Sequence, residues 1–196
     1  MALSRSPVLK RCDHLGIKPL VLGYSNKPSI RRKQVKRRRK QSEYARQLIE
    51  KQKLRFIYGI LEKQFKLTYD RAERSNGITG ENLLRLLELR FDNAVFRLGL
   101  SSSRRESRQR INHGHLMLNG RRVDIPSVTL KVGDVIAVHD KARQALRLRK
   151  LSQNRSIPSW LQFDEEKFEA TVVSLPVRSD IDYDVTESAV VELYSK

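Results

Sequence analysis

Cysteine, histidine and clustered carboxylates are the side chains from which nucleophilic and metal sites are built, and this sequence has few of them. They are Cys12, His14, His113, His115 and His139, with aspartates alternating at Asp180, Asp182 and Asp184. A structural zinc ion needs about four convergent nitrogen or sulfur ligands, and only Cys12 and His14 are neighbours in sequence, so no metal site is expected. A Cys12–His14 nucleophile is formally possible, but a lone cysteine on a basic arm is discounted as incidental. The glycines Gly114, Gly120 and Gly133 form neither a G-x-x-x-x-G-K-S/T loop nor a G-x-G-x-x-G turn, which leaves nucleotide hydrolysis without a seat. The alternating aspartates read as exposed strand residues, solvated or facing a basic neighbour. His113-Gly114-His115 closes a basic helix: as a metal pair it is the lesser reading against histidines that meet phosphate or fill a turn, and RNA contact is the preferred one. The expectation is a binding protein, with no enzyme activity and no cofactor.

What remains is cationic chemistry. The chain of 196 residues holds 40 Lys and Arg against 22 Asp and Glu, a formal net charge of +18. The excess is local: residues 1–150 carry 36 cations and 13 anions, residues 151–196 carry 4 and 9. It peaks in 31–40, where eight of ten residues are Lys or Arg; like charges at that density cannot pack together and order only on a polyanion. Guanidinium groups grip phosphate bidentately and stack on bases. No helix-turn-helix or dimer seam suited to a DNA groove is evident, so RNA is the expected partner, bound with steep salt dependence. One cysteine excludes an intramolecular disulfide and suits a reducing compartment. No apolar run approaches the length that spans a bilayer, so no membrane is expected and the protein is placed in the cytoplasm.

Positioning those cations requires elements, and the 39% hydrophobic fraction argues that most of the chain folds. Residues 1–41, punctuated by Pro7, Gly16, Pro19, Gly23 and Pro28, read as an irregular basic arm. From Ser42, a cap, a helix runs with Tyr44, Leu48, Leu54, Ile57, Leu61 and Phe65 near helical spacing and Lys51, Lys53 and Arg55 on other positions; Gly59 kinks or divides it. After the Ser75-Asn76-Gly77 turn, Thr79 is a candidate cap for a leucine-rich helix that continues through Phe91, Val95 and Leu98 to Gly99. Ser103-Arg104-Arg105-Glu106 has capping-box spacing and opens a short basic helix. The period then changes: His115 to Leu118, the Asn119-Gly120 hairpin signal and Arg121 to Val123, then Val128 to Leu130 and Val135 to Val138, are short strands. The acidic end closes on a β-rich stretch, Ala189 to Tyr194. The class is α+β: a helical domain over 42–89, completed by 151–196, and a module of helices on a small antiparallel sheet over 90–150.

Particular residues then carry more than composition does. Phe91-Asp92-Asn93-Ala94-Val95-Phe96-Arg97-Leu98-Gly99, Ser102-Ser103-Arg104, Arg108-Gln109, His113-Gly114-His115 and Asn119-Gly120-Arg121-Arg122-Val123-Asp124-Ile125-Pro126-Ser127 strongly resemble the RNA-binding module of the small-subunit ribosomal protein S-four family. The flanks, Ser42-Glu43-Tyr44, Tyr58-Gly59, Leu61-Glu62-Lys63-Gln64-Phe65, Gly80-Glu81-Asn82-Leu83-Leu84 and the tail from Pro158-Ser159-Trp160-Leu161 to Val191-Glu192-Leu193-Tyr194-Ser195, resemble the same ribosomal protein rather than the enzymes that share the module. The resemblance implies a bacterial-type primary binder of the 5′ domain of 16S rRNA. Such a protein nucleates assembly of the small-subunit body, lies near the mRNA entrance beside small-subunit proteins three and five, and influences translational accuracy. Three departures stand out. The four-cysteine zinc site of some members is reduced to Cys12, the usual Pro-Gly-x-His-Gly element is replaced by Gln34 to Lys40, and Arg110 stands where an apolar residue is usual.

Residues and resemblance together give an expected RNA-contacting set. It comprises Arg31, Arg32, Lys33, Lys36, Arg37, Arg38, Arg39 and Lys40 in the arm, and Tyr44, Lys51, Lys53 and Arg55 on the long helix. In the module it comprises Arg97, Ser103, Arg104, Arg105, Arg108, His113, His115, Asn119, Arg121 and Arg122. The alternative function, suggested by the altered arm, is a duplicated member acting off the ribosome as an RNA-binding regulator.

Overall fold

A computed structural model describes residues 7–25, 42–140, 142 and 156–195; the basic run 31–40 and the cations Arg143, Arg147, Arg149 and Lys150 lie outside the described residues. The chain is α+β, with seven α-helices and one five-stranded sheet among the described residues. It divides into two compact units, residues 1–67 with 183–196, and residues 68–182.

In the first unit the described part of the expected irregular arm, residues 7–25, forms regular structure. Helix α1, Val8–Leu15, buries Cys12 and Leu15 one turn apart, and Pro19–Leu22 forms a 3-10 turn with Leu22 buried. Proline and glycine mark boundaries here: Pro7 precedes the helix, Gly16 ends it and Pro19 starts the next turn. Helix α2, Glu43–Ile57, starts where expected, with Ser42 Oγ accepting from the Ala45 N–H at 3.3 Å. Gly59 lies in the break before helix α3, Glu62–Arg74, whose residues up to Leu67 belong to this unit.

The C-terminal stretch read as β-rich is instead helix α7, Glu187–Tyr194. It packs along α2: Ala189 and Val190 are buried, Tyr194 stacks on Phe65 at 6.2 Å, and the Gln47 amide donates to Glu192 at 2.9 Å. Burial against a neighbouring helix overrides the weak strand preference of Val190 and Val191.

In the second unit helices α4, Thr79–Glu88, α5, Phe91–Arg97, and α6, Arg104–Asn112, precede an antiparallel sheet in the order β2-β1-β3-β5-β4. Its strands are β1 Leu116–Leu118, β2 Arg121–Arg122, β3 Val135–Val138, β4 Leu161–Asp164 and β5 Glu169–Val172. The last two were expected with the helical domain. They complete the sheet instead, with β5 paired to β3 through Val135 opposite Thr171 and Ile136 opposite Ala170. A single core joins Phe91, Val95, Leu98, Ile111, Leu116, Ile136, Val138, Trp160, Ala170 and Val172.

The strand expected at Val128 to Leu130 is also reassigned. It touches Arg90 through one isolated bridge at Thr129 and otherwise serves α5. The first N–H groups of a helix have no partner within it; here the Phe91 N–H donates to the Val128 carbonyl at 2.9 Å and the Asp92 N–H to the Pro126 carbonyl at 3.1 Å. The Ile125-Pro126-Ser127-Val128 stretch is thus a backbone cap for the start of α5, which lies well before it in the chain.

Candidate RNA-binding surface

Along α2 the expected cations are engaged with carboxylates of their own unit. Lys51 Nζ donates to Glu62 at 2.8 Å and also lies 5.6 Å from the Tyr194 ring centre, Arg55 donates to the other Glu62 oxygen at 2.6 Å, and Lys53 pairs with Glu50 at 2.6 Å. Burial works against ionisation of Glu62, but hydrogen bonds from Lys51, Arg55 and Tyr194 outweigh it and hold the carboxyl below its usual range. Tyr44, in the first turn of α2, is exposed.

The Phe91-to-Leu98 motif is buried at every position. Arg97, expected on RNA, is locked in place: its Nη2 and Nε reach Glu88 at 3.0 and 3.2 Å and its Nη1 reaches Asp182 at 2.9 Å. Glu88 is wholly buried, and the Asn93 amide donates to both its carboxylate and its backbone carbonyl. Asn93 in turn accepts from Arg104 Nε at 2.9 Å, while the Arg104 guanidinium lies 4.3 Å over the Phe96 ring. Arg108 pairs with buried Asp92 at 2.6 Å, and Arg90 holds the same carboxylate at 3.1 Å. Three residues expected to contact RNA are therefore used inside the fold: Arg104 and Arg108 fix α6 onto α5, and Arg97 ties α5 to Glu88 of α4 and to Asp182. An isolated buried carboxylate is costly, and paired guanidinium groups with full hydrogen bonding are what make it tolerable. Glu88 and Arg90 belong to this network and were not singled out in the sequence, and Asp92 stood there only as part of the Phe91-to-Gly99 motif.

Ser103 caps α6 by accepting from the Glu106 N–H at 3.3 Å. The carboxylate of Glu106 turns to Ser102, taking its backbone N–H at 2.8 Å and its hydroxyl, and to Arg110 at 2.8 Å. Burial disfavours the Glu106 carboxylate, yet the bonds from the Ser102 hydroxyl, Arg110 and the Ser102 N–H bring it down to about 2. The unusual Arg110 thus forms an i,i+4 pair on the helix. On the same helix Arg105 is exposed.

The hairpin β1–β2 brings the remaining expected residues together. Asn119 takes a positive φ of 50° and Gly120 one of 75°, the geometry of a tight type I′ turn. Asn119 also ties the turn to β3: its amide donates to Asp134 at 2.9 Å and its carbonyl accepts from the Val135 N–H at 2.8 Å. Arg121 and Arg122 are exposed, and among the described residues no carboxylate pairs with either. Arg122 folds back over the His113-Gly114-His115 turn, donating to the His113 carbonyl at 3.1 Å. Gly114 has a φ of 68°, and a Cβ on it would fall on the Arg122 guanidinium. His113 is exposed, His115 is half-buried, and their rings meet edge to face at 5.7 Å. Among the described residues no group of three or more His, Cys, Asp or Glu is arranged to hold a metal ion, and no helix is long and apolar enough to cross a membrane.

The chain is 47% identical to the small ribosomal subunit protein uS4 of Lachnospira eligens and 46% identical to that of Agathobacter rectalis, in each case across the whole of both chains. The chain belongs to the uS4 family. A third relative, the small ribosomal subunit protein uS4A of Clostridium perfringens, is 52% identical over 81% of this chain and 78% of its own. The profile of the ribosomal protein S4/S9 N-terminal domain matches residues 3–88 and that of the S4 domain matches residues 89–136. The S4 match thus covers α5, α6, the hairpin and the first half of β3. Strands β4 and β5 extend the same sheet beyond it.

Proposed function

We propose that this chain is a structural component of the small ribosomal subunit, binding the 5′ domain of 16S rRNA through the exposed face of its S4 module. The carrying observation is the division of cations within that module. The guanidinium groups of Arg97, Arg104 and Arg108 are turned inward to build the fold, while Arg105, Arg121, Arg122, His113 and Asn119 stand outward on one helix and the adjoining hairpin. A rigid frame presenting a few guanidiniums suits RNA, whose phosphates and unstacked bases accept bidentate and stacking contacts. Exposed Tyr44 supplies an aromatic face, and the run Arg31 to Lys40 supplies the densest charge. In this reading the protein nucleates assembly of the subunit body and sits near the mRNA entrance, with small-subunit proteins three and five as neighbours. There it contributes to translational accuracy in the cytoplasm without a catalytic step of its own.

Sedimentation of ribosomes through a sucrose gradient after a high-salt wash tests this directly. The expected result is one copy per small subunit. Protein confined to the top of the gradient would reject the assignment and leave an off-ribosome RNA regulator.

A further inference from the structure

The end of α6 and strands β1 and β3 gather three histidines beside Arg110 and Arg122. His113 follows the last turn of α6, His115 leads into β1, and His139 leaves β3 with its backbone N–H donating to the His115 carbonyl at 2.9 Å. Arg122 crosses from β2 to cover Gly114 and bond the His113 carbonyl. Arg110 approaches from α6, with Glu106 engaged on it and on Ser102. Burial pushes the His115 imidazole below its ordinary value, and the charges of His113, Arg110, Arg122 and His139 push it the same way. In the free protein these neighbours oppose protonation of His115. An anion placed among them reverses the sign, because each proton then adds an attraction instead of a repulsion.

We propose that the His113-Gly114-His115 turn, closed over by Arg122, is a proton-linked phosphate site: an RNA phosphodiester docking there draws protons onto the imidazoles, so RNA is held more tightly as the solution becomes acidic. This rests on the reading that this face meets rRNA, and it adds a dependence that arginine contacts alone lack, since guanidinium keeps its charge throughout that range. Linkage makes the effect reciprocal. If binding takes up protons, the slope of log affinity against pH equals minus the number taken up. The free fold responds with the opposite sign. A histidine held below the ordinary 6.5 is protonated more readily in the unfolded chain, so its contribution to folding is present above that value and is lost as pH falls through it. Acidification therefore weakens the free fold at His115 while strengthening the complex.

The test is calorimetric titration of the full chain with a transcript of the 16S rRNA 5′ domain, in two buffers of different ionisation enthalpy. It is repeated with a chain carrying both His113→Gln and His115→Gln. The expected result is net proton uptake by the unaltered chain, with affinity rising about five-fold between about pH 7.5 and about pH 6 at constant salt. The double variant, checked for folding by circular dichroism, binds with a flatter pH profile and without that uptake. Binding by the unaltered chain with no proton uptake overturns this inference and leaves the rRNA assignment standing. Uptake that persists undiminished in the double variant overturns the assignment to this turn. No binding at any pH overturns the rRNA reading itself and this inference with it.

Discussion

Helix α2 and strand β2 are both rich in cations, yet the two use them in opposite ways. Lys51, Lys53 and Arg55 each end on Glu62 or Glu50, whereas Arg121 and Arg122 stand exposed beyond the reach of any carboxylate among the described residues. The difference lies in what else the fold brings near. The break at Gly59 lets α3 begin with Glu62 close to Lys51 and Arg55, and α7 adds Tyr194, whose hydroxyl also donates to Glu62 at 3.0 Å. The hairpin has Asp124 and Asp134 nearby in sequence, but Asp134 is engaged by Asn119 and the Lys131 N–H. Cation density along a chain therefore overstates the number of cations left without a carboxylate partner wherever folding supplies one within reach.

The comparison is most severely tested inside the module, where Arg97 is the extreme case of a cation turned inward. Replacing Arg97→Ala leaves Glu88 charged and buried, and is expected to cost about 3–5 kcal/mol of stability in urea unfolding. A loss below about 1 kcal/mol would show that Arg97 is replaceable in the frame and return it to the RNA-contacting set. The same logic makes Arg104→Ala with Arg108→Ala a test of folding first, since both side chains hold α6 to α5.

The next effect separates two glycines of the outward face. Gly114→Ala and Gly120→Ala both place a side chain at positive φ, a strain of about 1–2 kcal/mol. Only the former also displaces Arg122, because open space surrounds Gly120. The expected outcome is similar thermal destabilisation for the two, with the larger loss of rRNA affinity confined to Gly114→Ala. Equal losses of affinity would mean that the seat of Arg122 over the turn is unimportant to binding.

The smallest effect concerns single surface charges. Arg121→Ala is expected to flatten the slope of log affinity against log salt by about 0.7–0.9, the signature of one lost phosphate contact. Lys51→Ala should leave that slope unchanged and shift stability by about 0.2–1 kcal/mol, as removal of a partly exposed pair does. A reversal of the two would erase the contrast between α2 and β2.

Much of this organisation was legible in the residues themselves. Ser42 and Ser103 announced their caps, Asn119-Gly120 its hairpin, and the shift from helical to alternating spacing the α+β class, since each signal acts within a few residues. What escaped had long-range causes. The roles of Arg97, Arg104 and Arg108 depend on Glu88, Asn93 and Asp92, which meet them only when α4, α5 and α6 pack together. The helical state of Glu187–Tyr194 depends on α2, more than a hundred residues earlier. The membership of β4 and β5 in the sheet is decided by the pairing of β5 with β3 and of β4 with β5, which short-range alternation does not specify. His139 reaches the histidine turn by the same kind of pairing.

That late pairing also has a consequence in time. A growing chain emerges from its N-terminus, so the hairpin and β3 exist before β5 has been made. Until the stretch through Val172 is available, β3 offers an uncovered row of backbone donors and acceptors to any passing strand. The outward arginines of β2 lie at the opposite edge of the sheet. An incomplete chain would therefore carry its arginine-bearing edge on one side and an uncovered strand on the other until translation through the last quarter of the message supplies β5.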